Sequence, residues 1–265
     1  MAQTWGSLAE VCHDLVANEW ALPTECPGWS VQDQLSHLIG VERMVMGQAA
    51  PAWDAALGQH VKNDFAAMNE PWVAVRRAWE GDAVLAEFNE VTQQRLAALA
   101  ALSDEEWAVV GFSPVGQVPY ARFMETRVFD SWVHEQDVRV ALDRPGGMAG
   151  AAAEVGLGEI QRAMGFVVGK KAAAPEGSVV RFVITDPGPA ARRFSIGVHG
   201  GRAEPLPGDG ADGEAGVTLT MSAVDFVRLG CGRVEGAQAV AAGSIGVEGD
   251  AALAQAVLDN MNFMF

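Results

Sequence analysis

Apolar positions in the first half of the chain recur at three- and four-residue steps, the spacing of one helix face. Trp5, Leu8, Cys12 and Leu15 line such a face, predicting a first helix over residues 4–20 that stops before Pro23. The segment CPGWSVQDQLSHLIGVERMV predicts a tight turn and a second helix. Ser30 is suited to cap it, with Asp33 three residues on completing a capping box. His37 shares a stripe with Val41 and Met44, so it should face inward. Residues 51–80 read as irregular, with a Trp72, Val75 and Trp79 patch that suits a short helix or a lid-like connection. Leu85, Phe88, Thr92, Leu96 and Leu99 predict a third helix over 82–102, and Ser103 to Glu106 repeats the capping pattern. A loop with Gly111, Pro114, Gly116 and Pro119 follows. Residues 122–144, RFMETRVFDSWVHEQDVRVALDR, hold no Gly or Pro and end before Pro145, Gly146 and Gly147. They predict one long fourth helix. Four amphipathic helices with generous connections make a four-helix bundle, whose core can hold a metal.

The pattern then changes period. Residues 151–168 read as a helix, whereas VVRFVIT at 179–185, FSIGV at 194–198 and 217–221 are β-branched or aromatic runs bounded by Gly or Pro. Residues 209–216 form a Gly/Asp-rich loop, and Ser222 to Asp225 caps a short helix. A short strand at 245–247 and a helix over 250–260 close the chain. This order predicts a small α+β domain with helices on one face of an antiparallel sheet. Composition supports the division: all eight Trp lie at or before Trp132, while 22 of 30 Gly come after residue 143. The expected fold is therefore an α+β multidomain chain, with residues 1–147 as bundle and 148–265 as α+β domain.

Charge and cysteine content narrow the function. A formal charge of −16 argues against nucleic acid or an anionic membrane as partner. Cys12, Cys26 and Cys231 are far apart and form no CxxC pair, which fits a reducing cytosol and buried structural thiols. The N-terminal stretch lacks the features of a signal peptide, and no apolar run approaches a membrane span. A cytoplasmic protein, monomer or homodimer, is expected.

The fourth helix carries the candidate chemistry. At 100° per residue, Asp130, His134 and Asp137 fall within about 60° of one another, and Phe123 and Thr126 extend that stripe. A carboxylate and an imidazole at i and i+4 converge above the helix, and His37 on a facing helix can close a triad. Two imidazoles and one carboxylate bind Zn²⁺ with positions left open; Fe²⁺ or Ni²⁺ would also fit. Asp137 can orient His134 or act as a base. Plainer readings exist: each His can be a hydrogen-bonded core residue, and Asp130 can pair with Arg127. Glu135 and Arg139 read as a surface ion pair on the other face. His13, His60 and His199 have no partner at ligand spacing.

Three segments taken together, CPGWSVQDQLSHLIGVE, DSWVHEQDVR and IGVEGDAALAQAVLDNMNFMF, resemble the mycothiol-dependent maleylpyruvate isomerase family. The resemblance spans essentially the whole chain. It implies a DinB-like N-terminal bundle and a sterol-carrier-like C-terminal domain. It also implies a divalent metal, foremost Zn²⁺, held by His37, Asp130 and His134. Asp130 stands where the family pattern has Glu, one methylene longer. An arginine of the C-terminal domain serves the site in that family; Arg233 is the candidate here and Arg228 the second choice. The implied chemistry activates a mycothiol-like small thiol for cis–trans isomerisation, or for S-transfer, of a small acidic or electrophilic substrate. A non-catalytic binding module and a metal-dependent hydrolase are the alternatives.

Overall fold

The structure is a computed structural model and describes residues 1–56, 58–186, 188–208 and 215–264. It separates into two compact units, Met1–Gly147 and Met148–Met264.

The first unit contains helices α1 (Ala2–Val11), α2 (Ala17–Trp20), α3 (Val31–Val45), α4 (Asp64–Ala74), α5 (Gly81–Ala100) and α6 (Asp104–Ala108). A hairpin of β1 (Val110–Ser113) and β2 (Gly116–Pro119) leads into the long helix α7 (Tyr120–Ala141). Helices α1, α3, α5 and α7 form the bundle: α3 packs on α5 and α7, and α1 on the same two. Leu8, Leu35, Phe88 and Val138, one from each helix, are fully buried at its centre. Their removal from water is the main driving force for association of the four helices.

Three local expectations are corrected. The first helix does not run over 4–20. It breaks between α1 and α2, where Asp14 adopts φ +60°, a conformation Asp tolerates better than most residues. The Glu19 carboxylate then accepts from the Val16 N–H and restarts the chain as α2. Within the supposedly irregular 51–80 stretch, α4 forms behind an Asn63 cap that accepts from the Ala66 N–H. Trp72 on α4 packs closely on α3 at Gly40, where a Cβ would come within 2.4 Å of the Trp72 Cβ. The predicted loop before α7 is the β1–β2 hairpin, turned through Pro114 and Val115, with Gly116 at φ +103° opening β2. The capping box does form: Ser30 Oγ accepts from the Asp33 N–H, and the Asp33 carboxylate accepts from the Ser30 N–H.

The second unit contains α8 (Ala151–Phe166), continued by a π-helical turn Val167–Lys171, then β3 (Val179–Ile184), β4 (Arg192–His199), β5 (Arg202–Pro205) and β6 (Val217–Met221). Helices α9 (Ala223–Gly230) and α10 (Gly236–Ala241), strand β7 (Gly246–Gly249) and helix α11 (Ala251–Leu258) complete it. Ser222 and Asp250 cap α9 and α11 through their side-chain oxygens. The sheet order is β5-β4-β3-β6-β7. It is mixed rather than wholly antiparallel, because β3 and β6 pair in parallel. Strands β4 and β5 fold back along one side of β3, and the chain then returns to lay β6 on the other side in the same direction. That return includes most of the Gly/Asp-rich loop, of which residues 209–214 lie outside the described residues. Strand β5 and helix α10 are too short and too exposed to leave a clear period in the sequence. Phe182 and Phe194 stack across β3 and β4, 4.9 Å apart, with Phe226 of α9 against them.

Candidate metal centre

The bundle interior is unusually polar where α3 meets α7. Helix α3 buries His37 and Glu42 there, and α7 buries Arg127, His134 and Asp137. Burial of this many polar groups is costly unless they are paired or serve a ligand. His37, Asp130 and His134 each offer a donor atom, and the three donors lie within 4.8 Å of one another. The imidazoles meet edge to face with centroids 4.6 Å apart. Asp130 sits between them, Oδ2 3.4 Å from His37 Nε2 and Oδ1 3.6 Å from His134 Nε2. Although shorter than Glu, it reaches both rings. The two histidine side chains are nearly enclosed, whereas Asp130 keeps 22% of its side chain exposed.

Neighbouring groups fix these side chains. Asp137, one turn beyond His134, places Oδ2 3.3 Å from His134 Nδ1, so that Nε2 is the nitrogen turned toward Asp130. Arg127 donates to Asp130 Oδ2 at 2.5 Å. Trp29 covers both imidazoles at centroid distances of 4.9 and 5.8 Å. Its loop is tied back by Thr24, whose N–H and Oγ1 both donate to the Trp29 carbonyl. Next to Trp29, Gly28 (φ +79°) lies under the His60 ring, which would collide with a Cβ at 2.5 Å. His60 itself pairs with Glu70 at 3.1 Å, a contact that no sequence spacing announces.

Electrostatics separate the three groups. Burial would raise the Asp130 carboxyl, but Arg127 and the flanking histidines hold it well below its usual range. Burial pushes His37 down and keeps it neutral, as a ligand must be. Burial acts the same way on His134, yet the Asp130 and Asp137 carboxylates outweigh it and raise that imidazole above its ordinary value. Among the described residues, both ring nitrogens of His37 are buried without a well-formed hydrogen bond, Nε2 facing Asp130 Oδ2 at 3.4 Å. Each such atom costs about 1–3 kcal/mol. A divalent cation bound between the rings would satisfy the inward nitrogens, and the His, Asp, His donor set suits one. The residues therefore fit a metal. Because His134 must lose its proton to serve as ligand and its imidazole is raised above its ordinary value, zinc affinity should fall on acidification, starting at a higher pH than for an ordinary histidine ligand. Zinc titrations of chelator-stripped protein at a series of pH values check this; a flat profile would remove His134 from the ligand set.

Two comparisons bear on identity. Residues 1–139 match the family model described as "Mycothiol maleylpyruvate isomerase N-terminal domain", and residues 154–256 match "MDMPI C-terminal domain". The chain belongs to the mycothiol maleylpyruvate isomerase family. Two solved structures of a mycothiol-dependent maleylpyruvate isomerase share the fold. A His-to-Ala variant is 16% identical with a TM-score of 0.54, covering 93% of this chain and 89% of that one. The other is 17% identical with a TM-score of 0.52, covering 88% and 86%. No curated protein matches the chain. No helix among the described residues is long and apolar enough to cross a membrane.

Within this family member, the structure brings together His37, Asp130, His134 and Asp137. Arg233 lies in the second unit, just after α9, half-buried, with its guanidinium donating to the Cys231 carbonyl. Arg228, on α9, lies 3.5 Å from Asp225. Sequence reasoning missed Trp29 as a cover for the imidazoles and Glu42 as the buried partner of Arg127. The Arg127 to Asp130 spacing was a visible signal. The pairing of Arg127 with Glu42, 85 residues away, was not. At the N-terminal end of α7, an apolar cavity of about 290 Å³ is lined by Leu102, Val109, Phe112, Val118, Tyr120 and Phe123, among others.

Proposed function

We propose that the chain is a metal-dependent enzyme that uses a small thiol, mycothiol or a close relative, to isomerise a cis double bond or to transfer sulfur to an electrophile. The observation that carries this reading is the convergence of His37, Asp130 and His134 in a chain that matches both domains of the isomerase family. The ion, taken as Zn²⁺ with Fe²⁺ or Ni²⁺ as other fits, would supply the Lewis acidity that holds a thiol as thiolate near neutral pH.

The chain's own residues have distinct parts. His37, Asp130 and His134 would hold the ion. Asp137 orients His134 and is placed to take or return a proton at Nδ1. Trp29 covers the imidazoles, and Arg127 fixes the Asp130 carboxylate. Exposure of Asp130 marks the side from which reactants approach. In isomerisation, thiolate adds to the activated cis alkene, the new single bond rotates, and loss of the thiolate gives the trans product with the thiol regenerated. In S-transfer the carbon–sulfur bond stays, and the carbanion left by addition takes up the proton the thiol gave up. A small dicarboxylate such as maleylpyruvate calls for a cation, the part assigned to Arg233. Arg233→Ala should leave zinc content unchanged and lower kcat/KM for a carboxylated substrate at least tenfold; unchanged kinetics would remove Arg233 from the site.

The deciding experiment combines elemental analysis with a thiol-dependence assay on a cis-enedioyl substrate. Equimolar metal and an absolute thiol requirement are expected. Turnover without thiol would indicate a hydrolase, and absence of metal a non-catalytic binding module.

A further inference from the structure

Behind the triad lies a row of buried charges that the chemistry above does not use. Glu42 on α3 is completely enclosed, and its carboxylate is gripped from both sides. Oε2 accepts from Arg95 Nε at 2.9 Å. Oε1 accepts from Arg127 Nε at 3.0 Å and Nη2 at 2.8 Å. The Arg95 and Arg127 side chains each keep only 6% of their surface exposed. Arg127 spends its remaining nitrogen on Asp130 Oδ2, and Arg95 donates to the Tyr120 hydroxyl. The row therefore reads Tyr120, Arg95, Glu42, Arg127, Asp130, drawn from α7, α5 and α3. Among its four charged members, two positive and two negative charges balance.

Two buried guanidiniums close to a cation site are hostile to a divalent ion unless neutralised. Burial weakens screening, so like-charge repulsion at this range is stronger than at a surface. Glu42 supplies the compensating charge. It also clamps Arg127 by two nitrogens, which leaves that guanidinium a single contact to Asp130 Oδ2 and leaves Oδ1 turned to His134. We infer that Glu42 is a positioning residue for the metal centre: acting through Arg127, it aims the Asp130 carboxylate and keeps the surrounding charge low enough for a divalent cation to bind. The inference rests on the metal reading of the triad. It concerns residues that touch neither thiol nor substrate.

Opposite signs make it testable. Glu42→Gln keeps the shape but leaves two guanidiniums against one carboxylate; zinc affinity should fall about 10–100-fold, the range for groups that support ligands. Arg95→Met breaks the same ion pair but removes a positive charge and no contact to Asp130; zinc affinity should hold or rise. Glu42→Asp, which retains the charge, should stay within a few-fold of the wild type. Zinc affinity is measured on the chelator-stripped full chain by competition with a chromophoric chelator, beside thermal melting. A purely structural role would weaken zinc binding in Glu42→Gln and Arg95→Met alike, and that result overturns the inference. So does an unchanged affinity in Glu42→Gln. If Glu42→Gln does not fold, the other two variants decide: tenfold loss in either refutes the idea, and tighter zinc binding in Arg95→Met with retention in Glu42→Asp supports it. A wild-type chain that takes up no zinc refutes the metal reading and this inference with it, whereas normal zinc uptake without thiol-dependent turnover leaves this inference standing.

Discussion

His134→Ala is expected to abolish equimolar zinc binding. The substitution leaves His37 and Asp130, two donors where three lie within 4.8 Å, and it deprives Asp137 of the ring it orients. Loss of a supporting group alone costs about 10–100-fold in affinity, so loss of a ligand should cost at least 100-fold. Stability offers a second readout. A ligand at a thousand times its Kd stabilises the folded state by about 4 kcal/mol. The wild-type melting temperature should therefore drop on adding chelator, while that of His134→Ala should not respond. His13→Ala is the control, since that side chain is 71% exposed and pairs with adjacent Asp14. Equimolar zinc in His134→Ala would sink the proposed centre.

The second large effect is on stability and lies on the opposite face of α7. Glu135 and Arg139 read as a surface pair in sequence; the pair exists, but Glu135 is only 1% exposed. Helix α1 covers it. The carboxylate accepts from Ser7 Oγ at 2.6 Å, Thr4 Oγ1 at 3.0 Å and Arg139 Nε at 2.8 Å, and Arg139 also donates to Ser7. Glu135→Ala leaves these donors and a largely buried guanidinium without their acceptor. Breaking a buried pair from one side costs about 3–5 kcal/mol, a fall in melting temperature of roughly 10 °C. Tryptophan fluorescence isolates the affected unit, because all eight Trp precede residue 147. Zinc stoichiometry should survive, since the triad projects from the other side of α7. A loss below about 1 kcal/mol would show that α1 is not held by this network.

Periodicity alone located the bundle helices, because burying one face of each requires apolar residues at three- and four-residue steps, and caps such as Ser30 are local chemistry. The same logic put Asp130, His134 and Asp137 on one stripe, since a helix fixes their relative bearing whatever surrounds it. Sequence was less informative where geometry depends on partners far along the chain. The parallel β3–β6 pairing joins segments far apart along the chain and answers to strand pairing that no local pattern encodes. Glu42 illustrates the limit: in the sequence it is one acid among 34 Asp and Glu. Only the packing of α3 against α5 and α7 encloses it between two arginines, because burial and charge pairing are properties of the assembled core.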